Sequence, residues 1–357
     1  MPSTRGGSAR EKGSSAPGTW IRRLGSKRAG FRYADPQGRV IRDRRILARI
    51  DALRVPPAWR DVHIASSPRS AIQAWGFDAR GRKQYRYNER AVERRDLRKY
   101  HRVRQLAKDL PRVRRALHED ARPTGRAASL DADAVAATVL RLISETFCRI
   151  GGERYARENG TFGITTLRKS HVEVENGTAR FVYRGKGNIR QQQVVSDPAL
   201  VRLVRRQLDT PGARLFQYRA NGHWAVISAR DVNDYLHRRL GRYSAKDFRT
   251  WGGTLRAATV LAEIGPARTP TEAKRNVALA MRLVSSELGN TPTICRKSYV
   301  HPIVVARYLD DGETIPLPRA RRSAPNRGQA HSPEERALIA FLDRHFPERR
   351  RTSRDAR

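Results

Sequence analysis

The sequence predicts an α+β protein, with a small N-terminal antiparallel β domain over residues 19–95 and a larger, mainly helical domain over 96–318. Three observations carry this reading. Between Trp20 and Tyr87 short apolar–polar alternations recur between turn residues; from about Asn88 the period lengthens to that of a helix; and later segments combine helical apolar stripes with capping residues. A chain of 357 residues has room for two domains of ordinary size plus tails.

Taken in order, residues 1–18 are polar, Gly/Ser-rich and without a secretory apolar core, and read as a disordered tail. "GFRYADPQGRVI" places a Pro-Gln-Gly turn between two short strands. "VHIASSPRSAIQAWGFDARGRKQYRY" reads as strand, turn, then two strands joined at Ala79-Arg80-Gly81. In "DADAVAATVLRLISETFCRIGGERY" the residues Val135, Val139, Leu142, Ile143, Phe147 and Ile150 fall near one helical stripe, with Gly151-Gly152 as the stop. Arg149 then stands at the end of that helix. Asp131 and Asp133 form a D-x-D, but no strand precedes them and acids favour a helix start, so they read as the opening of the helix rather than a metal pair.

"HVEVENGTARFVYRGKGNIRQQQVV" is the clearest β signal. Asn176-Gly177 suits a type I′ hairpin and Gly185-Lys186-Gly187-Asn188 makes a second reversal, so Lys186 projects from a turn. From Thr269 to Gly289 a capping box (Thr269, Glu272), Pro270 at the first helical position, a stripe of Val277, Met281, Val284 and Leu288, and a terminal glycine define a helix. Tyr299 lies beyond its end. Residues 319–357 form a basic tail in which "SPEERALIAFLDRHF" (332–346) suits one amphipathic helix capped by Ser332.

Charge narrows the function classes. Lys and Arg total 73 against 35 acids, a formal net charge of +38 spread over both domains and both tails, which calls for a polyanionic partner. No segment approaches the ~20 apolar residues of a membrane-spanning helix. Cys148 and Cys295 supply neither a disulfide framework nor a metal quartet, and no G-x-x-x-x-G-K-[ST] loop supports nucleotide hydrolysis. The expectation is a cytoplasmic, nucleic-acid-facing protein without a metal site.

Cleaving a phosphodiester with a tyrosine sets three demands. The phenol, with a pKa of ~10, needs cations that favour the phenolate. The nonbridging oxygens want bidentate guanidinium donors, and the leaving 5′ oxygen wants a proton. Tyr299, Arg149, Arg249 and Lys186 are candidates for those parts. Against them stands the ordinary reading: most arginines here are solvated, a turn lysine is usually just exposed, and a tyrosine is more often a packed ring. Arg149 and Arg249 rise above that background because their neighbours (Cys148 and Ile150; Phe248, Trp251 and Leu255) are apolar, and charges seldom sit there unpaired.

The blocks "PPAWRDVHI", "GFDARGRKQYRY", "RYARENGTFGITTLRKSHV", "KDFRTWGGTLRAA" and "LGNTPTICRKSYVHP", running in order through residues 20–318, resemble the signature blocks of bacterial, poxvirus-like type IB DNA topoisomerases. The resemblance implies a catalytic domain of the type IB topoisomerase/tyrosine recombinase kind that, with the β domain, clamps duplex DNA. It implies relaxation of supercoils through a transient single-strand cut, a 3′-phosphotyrosyl intermediate, strand rotation and religation, with no ATP, cofactor or obligatory metal. It also implies a nucleoid-associated protein that acts as a monomer on double-stranded DNA. By the same resemblance Tyr299 is the nucleophile, Arg149 and Arg249 are the transition-state arginines, and Lys186 is the general acid. Asn290, nine residues before the tyrosine, occupies a position that is often His. Its amide can donate to a nonbridging oxygen, without charge and without titrating.

In the N-terminal block, Arg80, Arg82, Lys83, Gln84 and Tyr85 are candidate DNA contacts. Strand alternation would set Arg82, Gln84 and Arg86 on one side, where Arg and Gln can read base edges while Lys and Tyr hold phosphates; Tyr87 is expected to pack inward. A tyrosine recombinase is the rival reading, although its usual H-x-x-R is here Lys246-Asp-Phe-Arg249. A non-catalytic, DNA-compacting protein would explain the charge but not the ordered blocks.

Overall fold

The computed structural model describes residues 20–122, 130–317 and 329–346; the expected N-terminal tail and the tail segments 319–328 and 347–357 lie outside them. The chain divides into two units between Arg98 and Lys99.

The first unit is an antiparallel sheet with one helix. Its elements are β1 (Trp20–Ser26), β2 (Gly30–Ala34), α1 (Arg44–Ala52), β3 (Arg60–Ala65), β4 (Ile72–Phe77) and β5 (Lys83–Tyr87), and the strand order is β2-β1-β3-β4-β5. Alternate residues Ile21, Val62, Ile64 and Ala74 turn to one face and close over Ile50 of α1. The helix interrupts what reads as an all-β stretch. Asp43 accepts the Arg45 amide at 2.7 Å, and Ile46 and Ile50, one turn apart, reach the sheet. The expected second strand after Pro36-Gln37-Gly38 reduces to a single bridge between Ala34 and Val40, because Asp35 gathers the amides of Gln37 and Arg39 into a tight turn.

Helix α2 (Glu89–Asp120) carries the boundary between the units. After it come α3 (Ala132–Thr146), α4 (Glu153–Asn159), the three-stranded sheet of β6 (Val172–Glu175), β7 (Thr178–Arg184) and β8 (Arg190–Val195), then α5 (Pro198–Leu208). The hairpin β9 (Gln217–Ala220) and β10 (His223–Val226) leads into α6 (Ala229–Leu240), α7 (Ala245–Ile264), α8 (Pro270–Leu288), α9 (Pro292–Ser298), α10 (Pro302–Asp311) and α11 (Pro333–His345). Helix α3 is the hub. It packs against α5, α6 and α7, and its Val135, Leu140, Leu142 and Ile143 are fully buried, each stabilising the fold by about 2 kcal/mol. Among the described residues no helix is long and apolar enough to cross a membrane.

Two helix ends and the placement of Tyr299 differ from expectation. Helix α3 stops at Thr146, not at Gly151, because Phe147 takes a left-handed conformation (φ 53°) and its amide bonds Ile143. Arg149 therefore sits in irregular chain beyond the helix. At the start of α8, Thr269 accepts the Glu272 amide at 3.1 Å, but the Glu272 carboxylate reaches back to the Arg268 amide rather than closing a box on Thr269. Beyond Gly289 a further short helix, α9, intervenes, and Tyr299 is its C-cap, 7% exposed and part of the core rather than standing free of it.

Candidate active site

Four of the five residues singled out for chemistry come together where α7 and α8 meet the chain leaving α3. The segment carrying Arg149 is fixed by its backbone: Ile164 donates to the Arg149 carbonyl and Thr165 to that of Ile150, both at 2.8 Å. The chain can fold back this tightly because Gly163 lacks a side chain; a Cβ there would lie 2.5 Å from Gly151.

Arg249 lies on α7, 4% exposed. Its two terminal nitrogens donate to the carbonyl oxygens of Phe147 and, at 2.9 Å, Leu288. Arg149 donates to the Gly289 carbonyl at 3.4 Å, to the side-chain oxygen of Asn290, and to the Tyr299 hydroxyl at 3.4 Å. Phe147, Leu288 and Gly289 all stand at helix C-termini, where carbonyls lack intrahelical partners and the macrodipole is negative. Two guanidiniums are thus held by neutral carbonyls. None of these hydrogen bonds goes to a carboxylate, so the positive charge is left uncompensated for an anion. The Nε of Arg249 is buried and meets no acceptor among the described residues by distance and angle, while the guanidinium as a whole also hydrogen-bonds the Tyr299 phenol.

That charge acts on Tyr299. Burial pushes the phenol up most strongly, but the charge of Arg249, whose guanidinium carbon is 5.1 Å from the ring centroid, then that of Arg149, a hydrogen bond to Arg249 and the charge of Lys246 together outweigh it and hold the phenol below its ordinary value. The arginine feels the converse: burial pushes Arg249 down, and the nearby phenol partly restores it. The tyrosine backbone is pinned as well. Thr254 donates to its carbonyl at 3.2 Å and accepts the His301 amide at 3.0 Å, while Tyr100 donates to the Val300 carbonyl at 3.0 Å. Gly253 lets α7 come this close; a Cβ there would meet the Tyr299 carbonyl at 2.9 Å.

Lys186 stands apart. It is exposed in the β7–β8 turn, and no hydrogen bond or ion pair joins it to the other four among the described residues. Its hairpin nevertheless lies beside them, for Gln193 of β8 donates to the Glu287 carbonyl at 3.5 Å and Gln191 approaches Gly289. Arg80 is exposed in the turn before β5. The expected row of Arg82, Gln84 and Arg86 is tied down: Arg82 and Gln84 both bond Asp78, at 2.8 and 2.9 Å, and Arg86 bonds the Arg54 carbonyl. The Arg82 side chain foremost holds the Asp78 carboxyl down to about 2. Tyr87 does not pack inward; it is 44% exposed and stacks on Tyr85, because strand alternation gives the side shared with core residue Ala74 to Gln84 and Arg86. The open face carries Lys83, over the Trp75 ring at 4.1 Å, with Tyr85 and Tyr87.

Sequence reasoning missed the carbonyls of Phe147, Leu288 and Gly289, which leave no mark in side-chain identity, and the supports Thr254 and Tyr100. The Gly252-Gly253 pair inside a helical pattern was the available signal, since such glycines mark close approach.

A family model described as the catalytic core of eukaryotic DNA topoisomerase I matches residues 82–315, and one described as the N-terminal domain of bacterial DNA topoisomerase IB matches residues 30–78. The chain belongs to the type IB DNA topoisomerase family. DNA topoisomerase 1B of Acanthamoeba polyphaga mimivirus is 32% identical over 276 residues, covering 75% of this chain and 81% of the viral protein. DNA topoisomerase 1B of vaccinia virus (strain Copenhagen) is 22% identical over 240 residues, covering 66% and 72%. The site-specific recombinase XerH bound to its difH substrate aligns over 58% of this chain and 53% of its own, at 14% identity and a TM-score of 0.35, too loose a likeness to argue from. As a type IB topoisomerase the protein is an isomerase that acts on DNA, and the recombinase reading is not favoured.

Proposed function

We propose that Tyr299 is the nucleophile of a reversible transesterification on duplex DNA. Its oxygen attacks a backbone phosphorus and loses the phenolic proton to water, forming a 3′-phosphotyrosyl bond as the bond to the 5′ oxygen breaks. Lys186 gives that oxygen its proton and later takes it back. Arg149 and Arg249 hold the nonbridging oxygens, whose charge grows in the transition state. Between cleavage and religation the cut strand rotates and supercoils relax. One phosphoester replaces another, so the exchange is close to balanced and ATP has no part to play. Two guanidiniums and an ammonium supply the positive charge, so no metal is obligatory.

The observation that supports this reading is the Tyr299 hydroxyl 3.4 Å from one guanidinium and its ring against a second, with neutral carbonyls as the anchors of both. Lys83, Tyr85 and Tyr87 on the open face of β5, with Arg80 at the turn, serve as DNA contacts of the N-terminal unit, while Arg82 and Gln84 would first have to leave Asp78. The protein works in the cytoplasm, at the nucleoid, as a monomer.

The test is relaxation of supercoiled plasmid in EDTA without ATP, comparing wild type with Tyr299→Phe. Wild type should relax supercoils of both signs, the variant neither, and denaturant should trap wild type alone on a 3′ phosphate. An active Tyr299→Phe protein would remove the nucleophile from the proposal.

A further inference from the structure

Asn290 is placed with little freedom. Its amide nitrogen bonds the Ser285 carbonyl at 2.9 Å and Gly289 turns the chain at φ 61°, so a Schellman-type end to α8 fixes its backbone. The side chain then has one good orientation. Its oxygen accepts from Arg149, and its NH2 donates at 3.3 Å to the Leu288 carbonyl, the same oxygen that accepts Arg249. A guanidinium has only donors and a carbonyl only acceptors, so a flipped amide would oppose like to like on both sides.

We infer that Asn290 is a positioning residue for Arg149: it aims that guanidinium at the Tyr299 hydroxyl and the phosphate, and adds to the reaction through the arginine rather than as a donor to a nonbridging oxygen. One polar chain then runs from Arg249 through Leu288 and Asn290 to Arg149 and Tyr299, so the two arginines have one support in common beside their separate anchors at Phe147 and Gly289. Loss of Asn290 leaves Arg149, among the described residues, the Gly289 carbonyl and Tyr299 as partners. The inference rests on the reading of Arg149 given above and adds to it the means by which that arginine is held.

A double-mutant cycle on single-turnover cleavage of a short duplex separates the alternatives. Asn290→Ala should slow cleavage by about tenfold in the wild-type background and by less than about twofold in the Arg149→Ala background, with DNA affinity unchanged. The same factor in both backgrounds would mean that Asn290 contacts the phosphate itself and would overturn the inference while leaving Arg149 in place. No effect of Arg149→Ala would overturn the reading of the site along with the inference. Asn290→His gives a second measurement that does not depend on truncation. A neutral imidazole can accept from Arg149 and an imidazolium cannot, so its cleavage rate should fall as pH drops through about 6.5, while wild type shows no such step. A rate that rises on acidification would assign the imidazolium to the phosphate and reject the positioning role.

Discussion

Replacing Arg249 by lysine keeps the charge and removes the fork. The arginine spans two carbonyls, Phe147 and Leu288, and still has donor hydrogens to spare. An ammonium is a single centre on a flexible stem and cannot bridge both carbonyls while also presenting a paired set of donors to a phosphate. A charge-assisted hydrogen bond contributes about 1.5–3 kcal/mol, so losing the paired geometry in the transition state should cost about 3 kcal/mol, or roughly two powers of ten in cleavage rate. The assay is single-turnover formation of the covalent complex over a pH series. Arg249→Lys should show the slow rate with the pH dependence of wild type, because a cation still lies against the phenol. Arg249→Ala should in addition move the alkaline rise of the profile to higher pH, because the foremost opposing charge that holds Tyr299 down is gone while burial still pushes it up. If Arg249→Lys cleaves within about threefold of wild type, the fork plays no part in the transition state and Arg249 serves only to join α3 to α8.

Two further outcomes are expected. Lys186→Ala should lose a factor of about 10² to 10⁴ in cleavage of ordinary DNA and recover most of it when the leaving 5′ oxygen is replaced by sulfur, which needs no proton to depart; an equal loss on both substrates would exclude Lys186 as the acid. His301, 1% exposed, is pushed down to about 3 by burial first and then by Lys99, His101 and Arg104, against 6.5 in a solvated chain. Because the unfolded chain takes up this proton and the folded one does not, stability is intact above pH 6.5 and is lost as pH falls from there toward 3, by about 2 kcal/mol at pH 5. His301→Gln should therefore lose less melting temperature than wild type between about pH 7.5 and about pH 5, and equal losses would show that the ring is not buried neutral.

Much of the candidate site was legible in the sequence because its parts carry unusual local chemistry. Arg249 among Phe248 and Trp251, and Arg149 between Cys148 and Ile150, are charges at apolar positions, and the structure holds Arg249 fully buried and Arg149 half-buried. The Asn176-Gly177 hairpin with both residues at positive φ and the αL glycine ending α8 follow from backbone sterics that any neighbourhood would impose. Helices α1 and α9 were not legible. Each is short, and α9 at seven residues is below the length at which periodicity speaks, so their helical state depends on a cap (Asp43, Thr291) and on what covers them.

By itself the sequence determined the charge that demands a polyanion, the division into a β and a helical part, the order of the blocks, and which side chains are chemically able to act. Tertiary structure decided what those side chains face. It turned Phe147 left-handed so that its carbonyl meets Arg249, brought the end of α8 to both arginines, and set Asn290 against Arg149. It also put Tyr85 and Tyr87 on the open face of β5, since the register with β4 sets Arg86 opposite core residue Ala74. The reason is physical. A residue's propensity and charge are local, whereas the partner of a buried guanidinium is a backbone carbonyl, identical in every residue, and only the packing of helices that are distant in sequence decides which one it meets.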